Sequence, residues 1–408
     1  TIELPEGLRI IENSAFQDCY VLPSIHIPET VYSLGSSAFK ACHELDSVNF
    51  PKNISVVPSG IFYDNYKLPT IELHQNITKI DAQAFRYCSK LDNIIIPSKV
   101  SEIRFGAFQG CSSLSSIVIP DDVTIIESDV FNRCSKMASL KISKKAQIIQ
   151  GNAFSYSGII SAELPENVTK IESWAFACCY SLKTIKTNNK IQTMGDNIFA
   201  DDSSLLSLFI PDSTYFFDHS LCRNCLNIES VHISVNVTVF PSSSFYNCPK
   251  LYNLTIPEKV TSIMNNAFDG CFLLPSLKIP ENVSLIDNSA FRSCRSFVSI
   301  IIPEKVTKIS ESCFNYCYNL ISIDLPFNIT SIDNVAFGSN EKLTNITIPE
   351  ACTYIGHHAF ERNYDLVNIS IPKAVSFLGY SAFESCYNIT KITVYNTCKK
   401  IDEKTFYK

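Results

Sequence analysis

Seventeen cysteines are the residues of this 408-residue chain that most readily suggest chemistry, either a disulfide framework or a metal site. Two pairs, Cys222 with Cys225 and Cys313 with Cys317, have the short separation found between zinc ligands. A zinc site also needs a second cysteine pair or histidines, so this spacing alone does not predict one.

The histidines and carboxylates form no recognisable catalytic motif. Two of the seven histidines, His357 and His358, are adjacent in a polar turn, and the others are dispersed. No nucleophile elbow, P-loop, G-x-G-x-x-G, H-E-x-x-H or calcium-binding G-G-x-G-x-D sequence occurs. Adjacent carboxylates such as Asp121 and Asp122 are typical of solvated turns. We therefore expect no catalytic residues, no cofactor and no metal.

The elements that must position these residues follow a 23-residue repeat marked by phenylalanine. The unit reads A-F-x-x-C-x-x-L-x-x-I-x-I-P-x-x-V-T-x-I-x-x-x, and eighteen units cover the chain. Only the spacing from Phe154 to Phe176 is short, at 22 residues, and Cys222 replaces the Phe of the tenth unit. Such a period is typical of a solenoid, whose units bury their apolar faces against their neighbours. The sequence predicts one elongated solenoid domain over residues 1–408.

Each unit has the pattern of a short buried strand. L-x-x-I-x-I places apolar residues two apart, as at Leu277 and Ile279, so that stacked copies predict a parallel sheet. Proline follows this strand in 13 of 18 units and turns the chain out of the sheet. A second apolar pair, such as Val306 and Ile309, leads to Ala-Phe, which we expect on a short turn or helical turn. The phenylalanine column is predicted to be a buried stack of rings.

The repeat columns indicate that the cysteines are packing residues. Twelve lie three residues past the Phe, four occupy other core columns, and Cys178 alone falls outside. The four are Cys222, Cys313, Cys352 and Cys398. Rungs about 4.8 Å apart would permit disulfides, but a ladder of five from Cys225 to Cys317 and an odd total cannot pair completely. We expect free, buried thiols that act as small hydrophobes.

Composition narrows the class of protein further. Charged residues make up 18% of the chain, the net charge is −6 and no run of like charges occurs, which argues against nucleic-acid binding. No apolar stretch reaches the roughly 18 residues of a membrane span. Both ends fall inside the repeat pattern, so we expect a fragment of a longer surface protein.

The complete repeat, seen from Phe268 through Pro280, Val283 and Ile286 to Phe291, resembles the BspA-like leucine-rich repeats of the Treponema pallidum type. The resemblance covers all eighteen units. It implies a curved solenoid with a parallel sheet on its concave side. It also implies display on the cell surface or secretion, and adhesion to a host extracellular-matrix or cell-surface protein without catalysis. The alternative is a passive surface scaffold or spacer.

Two columns of the predicted strand project outward, eight and ten residues past the Phe. The first is small and polar in 16 of 17 full units and is mostly serine. The second varies freely, which suits recognition on a regular scaffold. We predict a partner-binding concave face that includes Ile95, Val118, Lys141, Lys186, Phe209, His232, Lys278 and Ile301.

The repeat is least regular from about Ser155 to Asp218, where Thr187-Asn188 replaces Ile-Pro. A kink, a binding site or a homodimer contact through Tyr215 and Phe217 are the readings left open.

Ten N-x-[ST] sequons also occur, and six share the turn column before Val-Thr. These six candidate glycosylation sites are Asn53, Asn76, Asn167, Asn236, Asn282 and Asn328. Repetition of one consensus explains this column equally well.

Overall fold

A computed structural model describes residues 2–395, 398 and 400–408. The chain divides into two compact units, the first ending at Leu205 and the second spanning Leu206–Lys408. Each unit is a stack of the 23-residue repeats, and each repeat forms one rung with two short strands and a turn. Within the described residues no helix is present, so the Ala-Phe pair lies on a turn.

The first strand of each rung comes from L-x-x-I-x-I, and neighbouring copies pair in parallel with equivalent residues side by side, as at Ser116 and Ser139. We call these strands the front ladder. In the first unit they are Ser24–Ile25, Ser47–Val48, Ser116–Val118, Ser139–Lys141, Ser161–Glu163 and Thr184–Lys186. In the second unit they are Ser207–Phe209, Ser230–His232, Ser299–Ile301, Ser322–Asp324, Asn368–Ser370 and Lys391–Thr393.

The second strand comes from V-T-x-I and forms a second parallel ladder, with Ile125 beside Ile148 for example. In the first unit its strands are Ile10–Ile11, Ser33–Leu34, Val56–Val57, Lys79–Ile80, Glu102–Ile103, Ile125–Ile126, Ile148–Ile149, Lys170–Ile171 and Thr193–Met194. In the second unit they are Phe216–Phe217, Val239–Phe240, Ser262–Ile263, Leu285–Ile286, Lys308–Ile309, Ser331–Ile332, Tyr354–Ile355, Phe377–Leu378 and Lys400–Ile401.

The turn around each phenylalanine completes the rung with two left-handed residues, one two positions before the ring and one two positions after. Gln83 and Tyr87, on either side of Phe85, have φ of 58° and 59°. The N–H of Phe85 donates to the carbonyl of Ala107 at 2.8 Å, so the turns of neighbouring rungs are hydrogen-bonded. Because that backbone shape recurs in every rung, the turn forms a third stacked side of the solenoid.

The phenylalanine column forms the centre of the core in each unit, as predicted. Neighbouring rings stack nearly parallel, for example Phe268 on Phe291 with centroids 5.5 Å apart. Where Cys222 replaces the ring, the inward positions of the second ladder carry Phe217 and Phe240 instead of the usual aliphatic residue. Such an exchange conserves core volume. Phe217 is only 1% exposed, so its proposed place in a dimer contact is wrong.

All seventeen cysteines lie within the described residues, and none forms a disulfide there. Fifteen are buried, whereas Cys19 and Cys398 are half-buried. Cys178, which the columns placed outside the core, is buried at 4% exposure beside Ala177 and Ala200. It occupies the left-handed position two residues after Phe176, with φ of 59°.

Candidate recognition face

The front ladder presents one face to solvent. Its central residue is buried and the residues on either side are exposed, as in Ser116–Val118 and Ser299–Ile301. These exposed residues are the predicted columns eight and ten positions past the Phe, and we call them the front face. Their outward direction follows from the two-residue alternation of a strand whose other side packs on the core.

In the first unit, three of the predicted residues occupy successive rungs. Ile95 is 74% exposed and Val118 is 57% exposed, and Lys141 follows on the next rung. Lys141 belongs to no ion pair in the part of the chain that the structure describes. The result is an apolar pair beside a lysine, all on one side of the ladder.

Lys186 lies further along the same unit and is already engaged. Its ammonium contacts the carboxylate of Glu163 on the neighbouring strand at 2.5 Å. This hydrogen bond and charge raise the pKa of Lys186, so the lysine stays protonated. Lys186 therefore belongs to a cross-strand ion pair and is not a free basic site.

In the second unit, Phe209 and His232 form a stacked pair on adjacent strands. Their ring centroids are 4.6 Å apart with an interplanar angle of 8°, and Phe209 is 44% exposed. Offset stacking of this kind fixes both side chains in one orientation. The pair therefore offers a flat, preorganised aromatic edge.

Lys278 and Ile301 line a groove in the second unit with a cavity volume of about 680 Å³. This size falls in the range of roughly 300–1,000 Å³ of typical binding clefts. Ile301 is 69% exposed on one wall. Lys278 makes an ion pair of 2.8 Å with Glu258, which raises its pKa.

The groove lies beside a proline in the front ladder, a feature that the repeat pattern did not reveal. In regular rungs, the residue seven positions past the Phe donates its N–H to its counterpart in the preceding rung, as Ile321 does to Val298. Pro275 stands at that position and has no N–H to donate. The hydroxyl of Ser276 then accepts the N–H groups of Val298 and Ser299, at 2.9 and 3.2 Å.

The rung from Ser276 to Ile279 is unpaired. Among the described residues, its backbone N–H and C=O groups make no hydrogen bond to other backbone groups. It is also the only described front-ladder rung without a strand or an isolated bridge. A proline in the column seven past the Phe is the sequence signal that could have located this break.

The first unit has two more prolines in this column, one beside a narrower groove and one where a side chain closes the gap. Pro69 precedes a groove of about 250 Å³ whose far wall carries Ile95. Pro23 also lacks the N–H, but there the side chain of Asn49 fills the gap. Its Oδ1 accepts the N–H of Ile27 at 2.7 Å, and its Nδ2 donates to the Ile27 carbonyl at 2.8 Å. Asn49 thus replaces a missing backbone connection.

The whole chain matches the family model of the BspA type leucine rich repeat region, in overlapping segments over residues 1–115, 101–229, 218–343 and 330–408. The chain belongs to the BspA-type leucine-rich repeat family. The prediction of a leucine-rich repeat solenoid is therefore confirmed.

This BspA-type chain is similar to several solved structures of leucine-rich repeat proteins. A leucine-rich repeat protein from Bacteroides ovatus is 24% identical with a TM-score of 0.67, over 98% of this chain and 90% of that one. A leucine rich cell surface protein from Faecalibacterium prausnitzii is 27% identical with a TM-score of 0.48, over 78% and 83%. A T. pallidum leucine-rich repeat protein is 24% identical with a TM-score of 0.31, over 52% and 80%. No curated protein matches significantly.

The irregular stretch of this BspA-type chain keeps its register. Asn188, which replaces the usual proline, is buried, and its Nδ2 donates to the carbonyls of Pro165 and Val168 at 2.5 and 3.0 Å. The residue therefore ties two rungs together. Of the two aromatic residues considered for a dimer contact, only Tyr215 is exposed.

The six sequons of the turn column have a structural role in the stack. Each asparagine donates its Nδ2, the atom that would carry a glycan, to a backbone carbonyl of the preceding rung; for Asn236 the acceptor is Asp212, at 2.8 Å. The other five bonds are made by Asn53, Asn76, Asn167, Asn282 and Asn328, at 2.7–3.3 Å. Use of these sites for glycosylation remains a prediction.

The described residues contain no group of three or more His, Cys, Asp or Glu side chains placed to hold a metal ion. No helix in that part of the chain is long and apolar enough to cross a membrane.

Proposed function

We propose that this chain is a non-enzymatic recognition module of a cell-surface or secreted protein, which binds a host matrix or cell-surface protein through its front face. The observation that carries the proposal is the exposure of Ile95 and Val118 on neighbouring rungs. The fold does not require apolar side chains there, because the same column carries Lys141 and Glu163 elsewhere.

The scaffold suits this role physically. The two ladders, the stacked turns and the ring column hold the outward columns at fixed spacing, so little conformational entropy is lost when a partner binds. Exposed apolar residues flanked by polar ones are the usual composition of an interface centre and rim. Membership of the BspA-type family also supports a role at the cell surface.

The test is attachment of the chain to immobilised epithelial extracellular matrix. The double variant Ile95→Ser with Val118→Ser should lose most of the binding while retaining its unfolding free energy. The matched control is Ile125→Ser, an exposed isoleucine of the second ladder in the same unit. Equal attachment of all three folded proteins would contradict binding through the front face, and no attachment of the wild type would favour the passive scaffold instead.

A homodimer remains part of the proposal. Tyr215 and Phe216 are both exposed on consecutive positions of the second unit. The test compares the molecular mass in solution of the wild type with that of the variant in which both residues are Ser. A dimeric wild type and a monomeric variant support the homodimer, whereas a monomeric wild type contradicts it.

A further inference from the structure

We infer that the groove behind Pro275 docks an extended polypeptide segment that carries an apolar side chain next to a basic residue. This inference rests on the proposed function, because both assume that the ligand is a protein. It concerns a different site and a different chemistry from the apolar pair of the first unit. Three features of the groove point to this occupant.

The first feature is unused backbone hydrogen-bonding capacity. The rung from Ser276 to Ile279 belongs to the front ladder by its position in the repeat, yet its N–H and C=O groups have no backbone partner among the described residues. Unpaired groups along a strand are the template that added strands use, with main-chain hydrogen bonds supplying affinity. A second extended chain satisfies such groups better than a compact small molecule can.

The second feature is an apolar wall. Ile301 projects from the next rung, so a branched aliphatic side chain that is 69% exposed lies beside the open backbone. The buried side chains of Ile279 and Ile302 form the base of the groove. An aliphatic or aromatic side chain of a docked segment would cover this surface, which otherwise stays in contact with water.

The third feature is the charge at the rim. Both lysines that line the groove already have partners, Lys278 in an ion pair with Glu258 and Lys305 through a 2.8 Å hydrogen bond to Asn282. Glu281 and Glu304 also line it, and neither belongs to an ion pair within the described residues. With Glu258, three carboxylates lie around the groove against two lysines. This excess of negative charge favours a Lys or Arg of the partner beside its apolar residue.

The narrower groove behind Pro69 repeats part of this chemistry. Its far wall carries Ile95 and its single charged lining residue is Glu72. The closed case at Pro23 shows how such a gap is filled from within, because Asn49 bonds to both backbone groups of Ile27. Ile301 and Ile279 hold the same positions in their rungs as Asn49 and Ile27. Ile301→Asn is therefore a designed closure of the groove.

The probe is a fluorescein-labelled nine-residue peptide with a central Phe between two Lys in a Val- and Thr-rich background, titrated with the full chain by fluorescence anisotropy. Ile301→Asn should abolish binding without loss of folding stability, and Ile301→Ser should weaken it about tenfold, as removal of an interface anchor does. Val367→Ser, at an exposed position of the same unit outside the groove, should bind as wild type does. A peptide with Glu for both Lys, and one with N-methylated backbone, should each bind at least about tenfold more weakly.

The inference is overturned if the wild type does not bind the peptide, if Ile301→Asn binds it unchanged, or if the Glu peptide binds equally well. These results are separable from the proposed function, because the matrix assay uses Ile95 and Val118 in the other unit. Matrix attachment without peptide docking removes the groove alone. Peptide docking without matrix attachment removes the proposed host partner and leaves a peptide site.

Discussion

The thiol of Cys88 donates a hydrogen bond to the backbone carbonyl of Phe62, which lies 3.1 Å away in the preceding rung. Equivalent bonds from Sγ to a carbonyl 25 or 26 residues earlier recur in nine other rungs, at 3.0–3.4 Å. Asn65 and Asn363 occupy the same column and donate to the equivalent carbonyls of Phe39 and Phe337, at 3.0 and 2.9 Å. The cysteines of these ten rungs therefore act as hydrogen-bond donors and are more than small hydrophobes.

The first prediction compares Cys88→Ser with Cys88→Ala. The two replacements have similar volume, but only serine keeps a donor for the Phe62 carbonyl. In the alanine variant the Phe62 carbonyl keeps the N–H of Asn65, at 3.2 Å, and loses only the bond from position 88. The alanine variant should therefore be less stable than the serine variant by the net value of one hydrogen bond, about 0.5–1.5 kcal/mol, in urea unfolding. Equal stability of the two variants would show that the hydrogen bond contributes nothing.

The second prediction concerns alkylation of the thiols by iodoacetamide at pH 8 without reductant. Burial raises the pKa of Cys42 and of Cys317 to about 12, so both remain protonated and unreactive. Mass spectrometry of the native protein should find label mainly on the half-buried Cys19 and Cys398. The unfolded protein should take up 17 labels. Fewer labels after unfolding would reveal disulfides.

The third prediction concerns the pH dependence of stability in the second unit. Burial raises the pKa of Asp269 to about 6 from 3.8, and the charge of Arg292, 3.9 Å away, offsets only part of this. The folded state therefore binds the proton more tightly than the unfolded state. The resulting stabilisation is complete below about pH 4 and is lost as the pH rises through 6.

The variant Asp269→Asn has no titrating carboxyl group at this position and serves as the reference. Relative to it, the unfolding free energy of the wild type should fall by about 1–2 kcal/mol between pH 4 and pH 7, because about two pKa units correspond to about 3 kcal/mol and solvent screens part of this. Urea titrations of both proteins across this range provide the measurement. A constant difference, or a wild type that gains stability with rising pH, contradicts the assignment.

The fold could be predicted because its causes are local to each repeat. The spacing of Phe268 and Phe291 gives the period, and the alternation at Leu277 and Ile279 gives the strand with its outward columns. Burial and direction then follow from stacking equal units. The same reasoning correctly predicted that four apolar side chains are exposed, namely Ile95, Val118, Phe209 and Ile301.

What could not be predicted depends on contacts between rungs. The bond from Asn49 to Ile27, the effect of Pro275 on the ladder and the ion pair of Lys278 each join residues about 20 positions or more apart. The period identifies which residues are neighbours, but not which polar atoms meet. Substitution of Asn for Cys at position 65 was the available signal for the donor column.

The central claim, that the front face meets a host partner, is tested most directly by site-specific photo-crosslinking on epithelial extracellular matrix. A photo-reactive phenylalanine replaces Val118 on the front face in one protein and Ile125 on the second ladder in another. The account predicts a defined crosslinked host protein from position 118 and little or none from position 125. Crosslinks of equal yield from both positions, or from position 125 alone, would contradict it.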